Sequence, residues 1–380
     1  MKAAFPDAFP TLTPEEIPPC AYGQSGCTRD VFLEHIATRR PVYLPNTTPG
    51  YTNAAFAMLG LVLESLTGKP YSENLQQLLS TPLNLKETAT STPRNATAGV
   101  IVVDETSVGW DLILDGAGTG MGAMFSSAND MSKIGRAILA SSLLPDNSTR
   151  AWLKPTSHTS SLIGAVGLGW EIFRATVGPP EHNRVVDLYT KSGNVAGYGA
   201  NFVLIPDHGV GFVVLSAGTR GRVPYAISGI IADALLPALD EAARVEAASN
   251  LAGTYAAPGS LDASVVLSSA PGVLGLTVKK WISNGTDILA MLFGIPAASE
   301  KYQLYPSNFV SDNGTKGSWR GTYLSTAGGS GPFSACPSWG ALDRPTYGVY
   351  GLDEFEFHIG GDGKAIAVEP KALKIVLNRV

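Results

Sequence analysis

Two short clusters hold side chains that could handle protons and anions together. In Pro49-Gly50-Tyr51-Thr52-Asn53 a phenol and an amide stand two residues apart. An extended turn puts such residues on one side of the chain, so Tyr51 and Asn53 can face a common ligand. The phenol can carry a proton and the amide can hold a carbonyl. In Tyr189–Gly199, the run Lys191-Ser192-Gly193-Asn194 sets an ammonium, a hydroxyl and an unencumbered backbone N–H along one strand edge. An anionic group or a developing oxyanion can use all three. Each cluster also has a plainer role: Asn53 as a helix N-cap, Tyr51 as a packed aromatic, Lys191 as a solvent-facing strand lysine.

Other chemistries find no support. His35, His158, His182, His208 and His358 are scattered, without metal-ligand spacing. Gly-x-x-x-x-Gly-Lys-Ser/Thr is absent, and no Gly-x-Gly-x-x-Gly follows a strand. Neither a metal nor a cofactor is expected. The 380 residues carry a net charge of −5 with no basic cluster, which argues against nucleic-acid binding. With 44% hydrophobic and 16% charged residues, the chain should fold. No uninterrupted apolar run reaches the roughly 18 residues of a membrane helix, so no span is expected.

The elements that must position the clusters follow from periodicity. A short helix is expected over Arg29–Arg39, and one over Ala54–Leu66 that is apolar nearly all round and therefore buried. Gly68 and Pro70 end it. A helix over Glu73–Leu79 would be capped by Ser72. Ser127-Ala-Asn-Asp130 reads as a capping box opening a helix to about Leu139, with another short helix over Thr149–Leu153. Strands are expected at Leu168–Arg174, Val185–Lys191, Gly199–Ile205 and Val210–Leu215. Pro224–Ala248 reads as a helix interrupted at Pro237. Beyond Asn250 short alternating runs, such as Phe355/Phe357/Ile359, predict a separate all-β domain ending on a strand over Leu373–Leu377. The expected domains are 1–249, with a loop-rich lead-in over 1–50, and 250–380.

Asn46, Asn95, Asn147, Asn284 and Asn313 each begin an Asn-x-Ser/Thr sequon in turn-like surroundings, as in a secreted glycoprotein. Cys20 and Cys27 are spaced to close a small disulfide loop, leaving Cys336 over.

Together and in this order, the two clusters resemble the serine β-lactamase and penicillin-binding protein superfamily. The nearest branch is that of class C β-lactamases and esterases, with the fungal β-lactamase-related proteins. Tyr51–Gly68 is similar to its Tyr-x-Asn turn and following helix, Lys191–Ala217 to its Lys-Thr/Ser-Gly strand and hairpin. The small-residue run Gly120–Asp130 also resembles the family. The resemblance implies an α/β (α+β) domain with an antiparallel sheet flanked by helices, and acyl transfer through a serine ester. It makes Tyr51 a general base or proton shuttle, Asn53 a holder of the substrate amide and of the nucleophile motif's lysine, and Lys191 a group that acidifies Tyr51 and steers a carboxylate. Ser192 would assist Lys191, and the Asn194 N–H after Gly193 would serve the oxyanion. The partner implied is a small molecule or peptide with a carboxylate, ester or amide.

One motif departs. The family's nucleophile lies in a Ser-x-x-Lys upstream of the tyrosine, and no serine here has a lysine three residues on. The expectation is an N-terminally truncated, inactive member of an enzyme family, incomplete in its first domain and with Gly199–Leu215 short of sheet partners. The alternative is a non-catalytic protein that recognises a carboxylate-bearing ligand through Lys191 and Ser192.

Overall fold

Thr28 and Thr52 show why helices start where they do. The Thr28 hydroxyl accepts from Val31 N and opens α1 (Arg29–Thr38); that of Thr52 accepts from Ala55 N and opens α2 (Asn53–Thr67). The computed structural model describes residues 8–13, 16–17, 27–93, 99, 110, 114, 116–178, 184–195, 197–218, 223–294, 301–311, 313–323, 340 and 342–380. They form two units, Met1–Thr176 with Val185–Asp233 and Val177–Arg184 with Ala234–Val380.

In the first unit α2 stops at Gly68 in the left-handed region, φ 67°. It is not buried all round. Ala57, Gly60 and Leu61 face inward, while Met58, Leu59, Val62 and Leu66 are exposed. The inward face meets a 3-10 turn, Gly116–Met121, through two glycines. A Cβ on Gly120 would lie 2.6 Å from the Phe56 carbonyl oxygen and 3.1 Å from Gly60 Cα, so only glycine permits this approach.

The helix expected over Glu73–Leu79 starts earlier. It comprises α3 (Tyr71–Leu75), a π-turn over Gln76–Ser80 and a last turn at Thr81–Leu83. Ser72 does not cap it; the Glu64 carboxylate takes the Tyr71 N–H instead, at 2.7 Å. Ser127 does cap α4 (Ala128–Leu139), accepting from Asp130 N. The Asp130 carboxylate leaves the expected capping box and accepts from Glu87 N (2.7 Å), Thr88 Oγ1 (3.0 Å) and Lys133 Nζ (3.0 Å). A short α5 follows at Asp146–Trp152.

Six strands then pair antiparallel in chain order: β1 (Ser157–His158), β2 (Gly164–Val166), β3 (Glu171–Val177), β4 (Arg184–Val195), β5 (Tyr198–Ile205) and β6 (Val210–Ala217). Gly199–Leu215 therefore has sheet partners, contrary to expectation, with β6 last in the order. β3 starts later than expected because Gly169, at φ 80°, holds a turn. β4 runs on to Val195, so Lys191–Asn194 lie inside the β4–β5 ladder rather than beyond it. Trp170, Ile172, Tyr189 and Leu204 form the core beneath the sheet. Gly135 lets α4 lie against Leu204 and Phe202.

Helix α6 (Val223–Asn250) continues through Pro237, where a break was expected. The division between the units falls inside it. By length and composition alone α6 could cross a membrane, which a count of uninterrupted apolar residues misses. It carries Asp240, ion-paired to Arg184, and the buried Leu236.

Among the described residues the second unit is all-β apart from part of α6, one short helix and a 3-10 turn. Its strands are β7 (Gly253–Ala256), β8 (Ser264–Ser268), β9 (Leu276–Ser283), β10 (Thr286–Asp287), β11 (Tyr302–Val310), β12 (Lys316–Tyr323), the small β13–β14 hairpin (Thr346–Tyr347, Tyr350–Gly351), β15 (Glu354–Ile359), β16 (Ala365–Pro370) and β17 (Leu377–Arg379). The short helix is α7 (Ile288–Phe293). The sheet order β10-β9-β11-β12-β15-β16-β17-β7-β8 closes through β8–β9 pairing, making a barrel. Phe355 and Phe357 point inward as their alternation predicts, joining Tyr255, Leu276, Trp281, Tyr302 and Leu304. The strand expected over Leu373–Leu377 is instead a 3-10 turn, Lys371–Leu373, then Lys374 at φ 52°, then β17.

β17 pairs with β7, setting Asn378 opposite Ala256 and Arg379 opposite Tyr255. The Arg379 guanidinium donates to the carbonyls of Ser249, Asn250, Ala252 and Ala365. Arg379→Ala is expected to destabilise this unit by about 2–3 kcal/mol, read as a lower urea midpoint. An unchanged midpoint would show that these contacts are dispensable.

Candidate active site

Thr52, not Asn53, is the N-cap of α2, so the Asn53 amide is not used in capping. Tyr51 is 72% exposed and is no packed aromatic. Its hydroxyl donates to Asn53 Oδ1 at 2.9 Å, as two side chains on one side of a turn can. The same bond leaves the Asn53 Nδ2 hydrogens without a partner among the described residues.

The sheet brings the second cluster to the first. Lys191 Nζ stands over the Tyr51 ring, 5.2 Å from its centroid. It is a cation above an aromatic face. The ammonium donates to Glu171 Oε1 at 2.9 Å and to the Ser192 carbonyl at 2.8 Å. Ser192 Oγ donates to Glu171 Oε2 at 3.3 Å, and the Tyr225 hydroxyl approaches the same oxygen at 3.5 Å. Glu171 is thus the centre of the polar contacts. Its own carbonyl accepts from Thr190 Oγ1 at 2.8 Å, which fixes β3 beside β4.

Gly193 and Asn194 continue β4, opposite Ala200 and Gly199. Among the described residues, a Cβ on Gly193 would meet only Ala200 Cβ, at 3.9 Å. Packing therefore does not demand glycine there, and the open space lies beside the ladder. Trp110, buried, packs edge-on against Phe125 and at 6.1 Å on Tyr198, which pairs with Val195.

Glu171 and Tyr225 were missed in the sequence reading. A strand one hairpin upstream of Lys191 with a single carboxylate at its start was the available signal.

The profile of the beta-lactamase family matches residues 4–234. The chain belongs to the beta-lactamase family. A second profile, described as Beta-lactamase-like-like, C-terminal domain, matches residues 243–380. Among relatives of this family member, a beta-lactamase-like protein of Arthroderma benhamiae is 34% identical over 284 residues, covering 74% of this chain and 46% of that protein. A probable hydrolase of Cochliobolus lunatus is 26% identical over 383 residues, covering 96% of this chain and 61% of its own length. The chain thus spans about half to three fifths of these fungal relatives. Among solved structures, a beta-lactamase/D-alanine carboxypeptidase from Yersinia pestis superposes with a TM-score of 0.44 at 18% identity, over 59% of this chain and 66% of that one.

Two remaining expectations bear on the beta-lactamase family member's chemistry. His358 is not isolated: Glu356, His358 and Glu369 bring ligand atoms within 4.8 Å of one another on the barrel. Lys316 and Lys371 are ion-paired to those carboxylates, so the group is a salt-bridge network. Burial raises the Glu356 pKa, but the hydrogen bond from Lys316 and the charges of Lys371, Lys316 and His358 outweigh it and leave the pKa lowered. Of the cysteines only Cys27 is described. It is disulfide-bonded, and the expected Cys20–Cys27 loop falls on Cys20, which like Cys336 lies outside the described residues.

Proposed function

We propose that this chain supplies the proton-handling and ligand-orienting part of a serine acyl-transfer centre for a small-molecule or peptide ester or amide. The observation that supports this most is the meeting of Tyr51, Asn53, Lys191 and Ser192, from two distant segments, in one exposed site. Tyr51 would shuttle the proton, the Asn53 amide would hold the substrate carbonyl, and the Asn194 N–H beside Gly193 would receive the oxyanion. Lys191 and Ser192, both held by Glu171, would line the other end of the ligand site.

The nucleophile motif Ser-x-x-Lys does not occur in these 380 residues. This chain should therefore bind its ligand reversibly and form no acyl adduct. A fluorescent penicillin or a fluorophosphonate should give no stoichiometric covalent label. N-acetylphenylalanine methylamide, followed by NMR titration, should bind, and Asn53→Ala should weaken it about tenfold. Stoichiometric labelling, or binding indifferent to Asn53→Ala, would defeat the reading. The missing motif also favours the alternative of a binding-only protein, which stoichiometric labelling would reject as well.

We also propose that the protein is secreted and glycosylated. Asn46, Asn147, Asn284 and Asn313 are all exposed; Asn95 lies outside the described residues. Protein made in a eukaryotic secretory host should lose mass on treatment with peptide-N-glycosidase. An unchanged mass would remove the proposal.

A further inference from the structure

Lys191 and Ser192 present the two groups that would take a ligand's carboxylate, an ammonium and a hydroxyl. In the structure a carboxylate is already there, and it belongs to the protein. Glu171 places Oε1 on Lys191 Nζ at 2.9 Å and Oε2 on Ser192 Oγ at 3.3 Å, and Tyr225 adds a third donor at 3.5 Å. Each carboxylate oxygen takes one of the two groups, the two-point grip that an external carboxylate would need.

From this we infer that Glu171 is an internal carboxylate holding the anion position, and that the site selects neutral acyl ligands, esters and amides without a carboxylate, over anionic ones. The inference rests on the proposed ligand site and narrows its substrate class. Lys191 and Glu171 together carry no net charge, so the cluster offers no unspent positive potential to an anion. A ligand carboxylate would have to displace Glu171 or sit beside it as a like charge, and either is unfavourable. A neutral ester or amide meets neither obstacle. It can use the Asn53 amide and the Asn194 N–H while the Lys191–Glu171 pair stays intact. Glu171 is thereby a specificity-determining residue rather than a participant in bond making.

The test compares N-acetylphenylalanine with its methylamide on the full chain by NMR titration or calorimetry. Wild type should hold the methylamide about tenfold more tightly. Glu171→Gln keeps the size and removes the charge. It should raise carboxylate affinity about tenfold and bring the two ligands to parity. Glu171→Asp, which keeps the charge, should retain the wild-type preference, and a general loss of structure would not produce that pattern. Equal binding of both ligands by wild type, or an unchanged ratio in Glu171→Gln, overturns the assignment while leaving the site standing. Failure of every protein to bind either ligand overturns the site itself, and this inference with it.

Discussion

Asp130→Ala is expected to destabilise the first unit by about 3 kcal/mol, the cost of removing a buried carboxylate that accepts from three donors. The residue is 1% exposed, and its carboxylate answers three donors: the Glu87 N–H, the Thr88 hydroxyl and the Lys133 ammonium. Removing it takes the acceptor from the Glu87 N–H and one of two partners from the buried Thr88 hydroxyl, which also meets Ser126 Oγ at 2.9 Å. Acid should reproduce part of the effect. Burial raises the Asp130 pKa, but the hydrogen bonds from Glu87, Lys133 and Thr88 and the charge of Lys133 outweigh it, so the folded value is lowered. The corresponding stability is complete above the ordinary aspartate pKa of about 3.9 and drains away as pH falls through the lowered folded value. Urea midpoints at pH 7 and pH 3 check this. Wild type should lose stability between them through this residue, and Asp130→Asn should lose less. Equal acid loss in both would mean that Asp130 is not the group responsible.

The second large effect is expected at Gly120. A valine there would push into the Phe56 carbonyl and Gly60 Cα, both backbone atoms that cannot rotate aside. The overpacking should destabilise by about 3 kcal/mol. It should also shift the first turn of α2, which carries Asn53 and follows Tyr51. Binding of the methylamide probe should therefore fall more in Gly120→Val than in a surface variant of equal stability. Gly120→Ala should lie between. Thermal unfolding and the probe titration read the two parts separately; a folded Gly120→Val with unaltered binding would show that α2 does not set the site.

Local chemistry was readable and register was not. Tyr51 and Asn53 lie two residues apart, and Lys191–Asn194 are contiguous, so their geometry is fixed by a turn and a strand. Glu171 reaches Lys191 only through the lateral offset of β3 on β4, which no local pattern encodes. The same limit explains Asp130. Its spacing from Ser127 suits a capping box, but Glu87 and Thr88, far away in sequence, bind the carboxylate instead. For α2, composition predicted burial on all sides; the glycine contact at Gly60 decides which face is inward. In the barrel the alternation of Phe355 and Phe357 was legible because a closed sheet has one inside and one outside.

The barrel's first and last strands are neighbours, and Val380 N donates to the Thr254 carbonyl at 3.0 Å. Entry and exit therefore share one doorway. Such a body is a portable cassette: a linker of a few residues could join its ends into a ring, with new ends opened at the exposed Asn284-Gly285 turn. For protein engineering, the barrel strands β7–β17 can be treated as a body to be permuted, with Val177–Arg184 and the second half of α6 kept as part of the same unit.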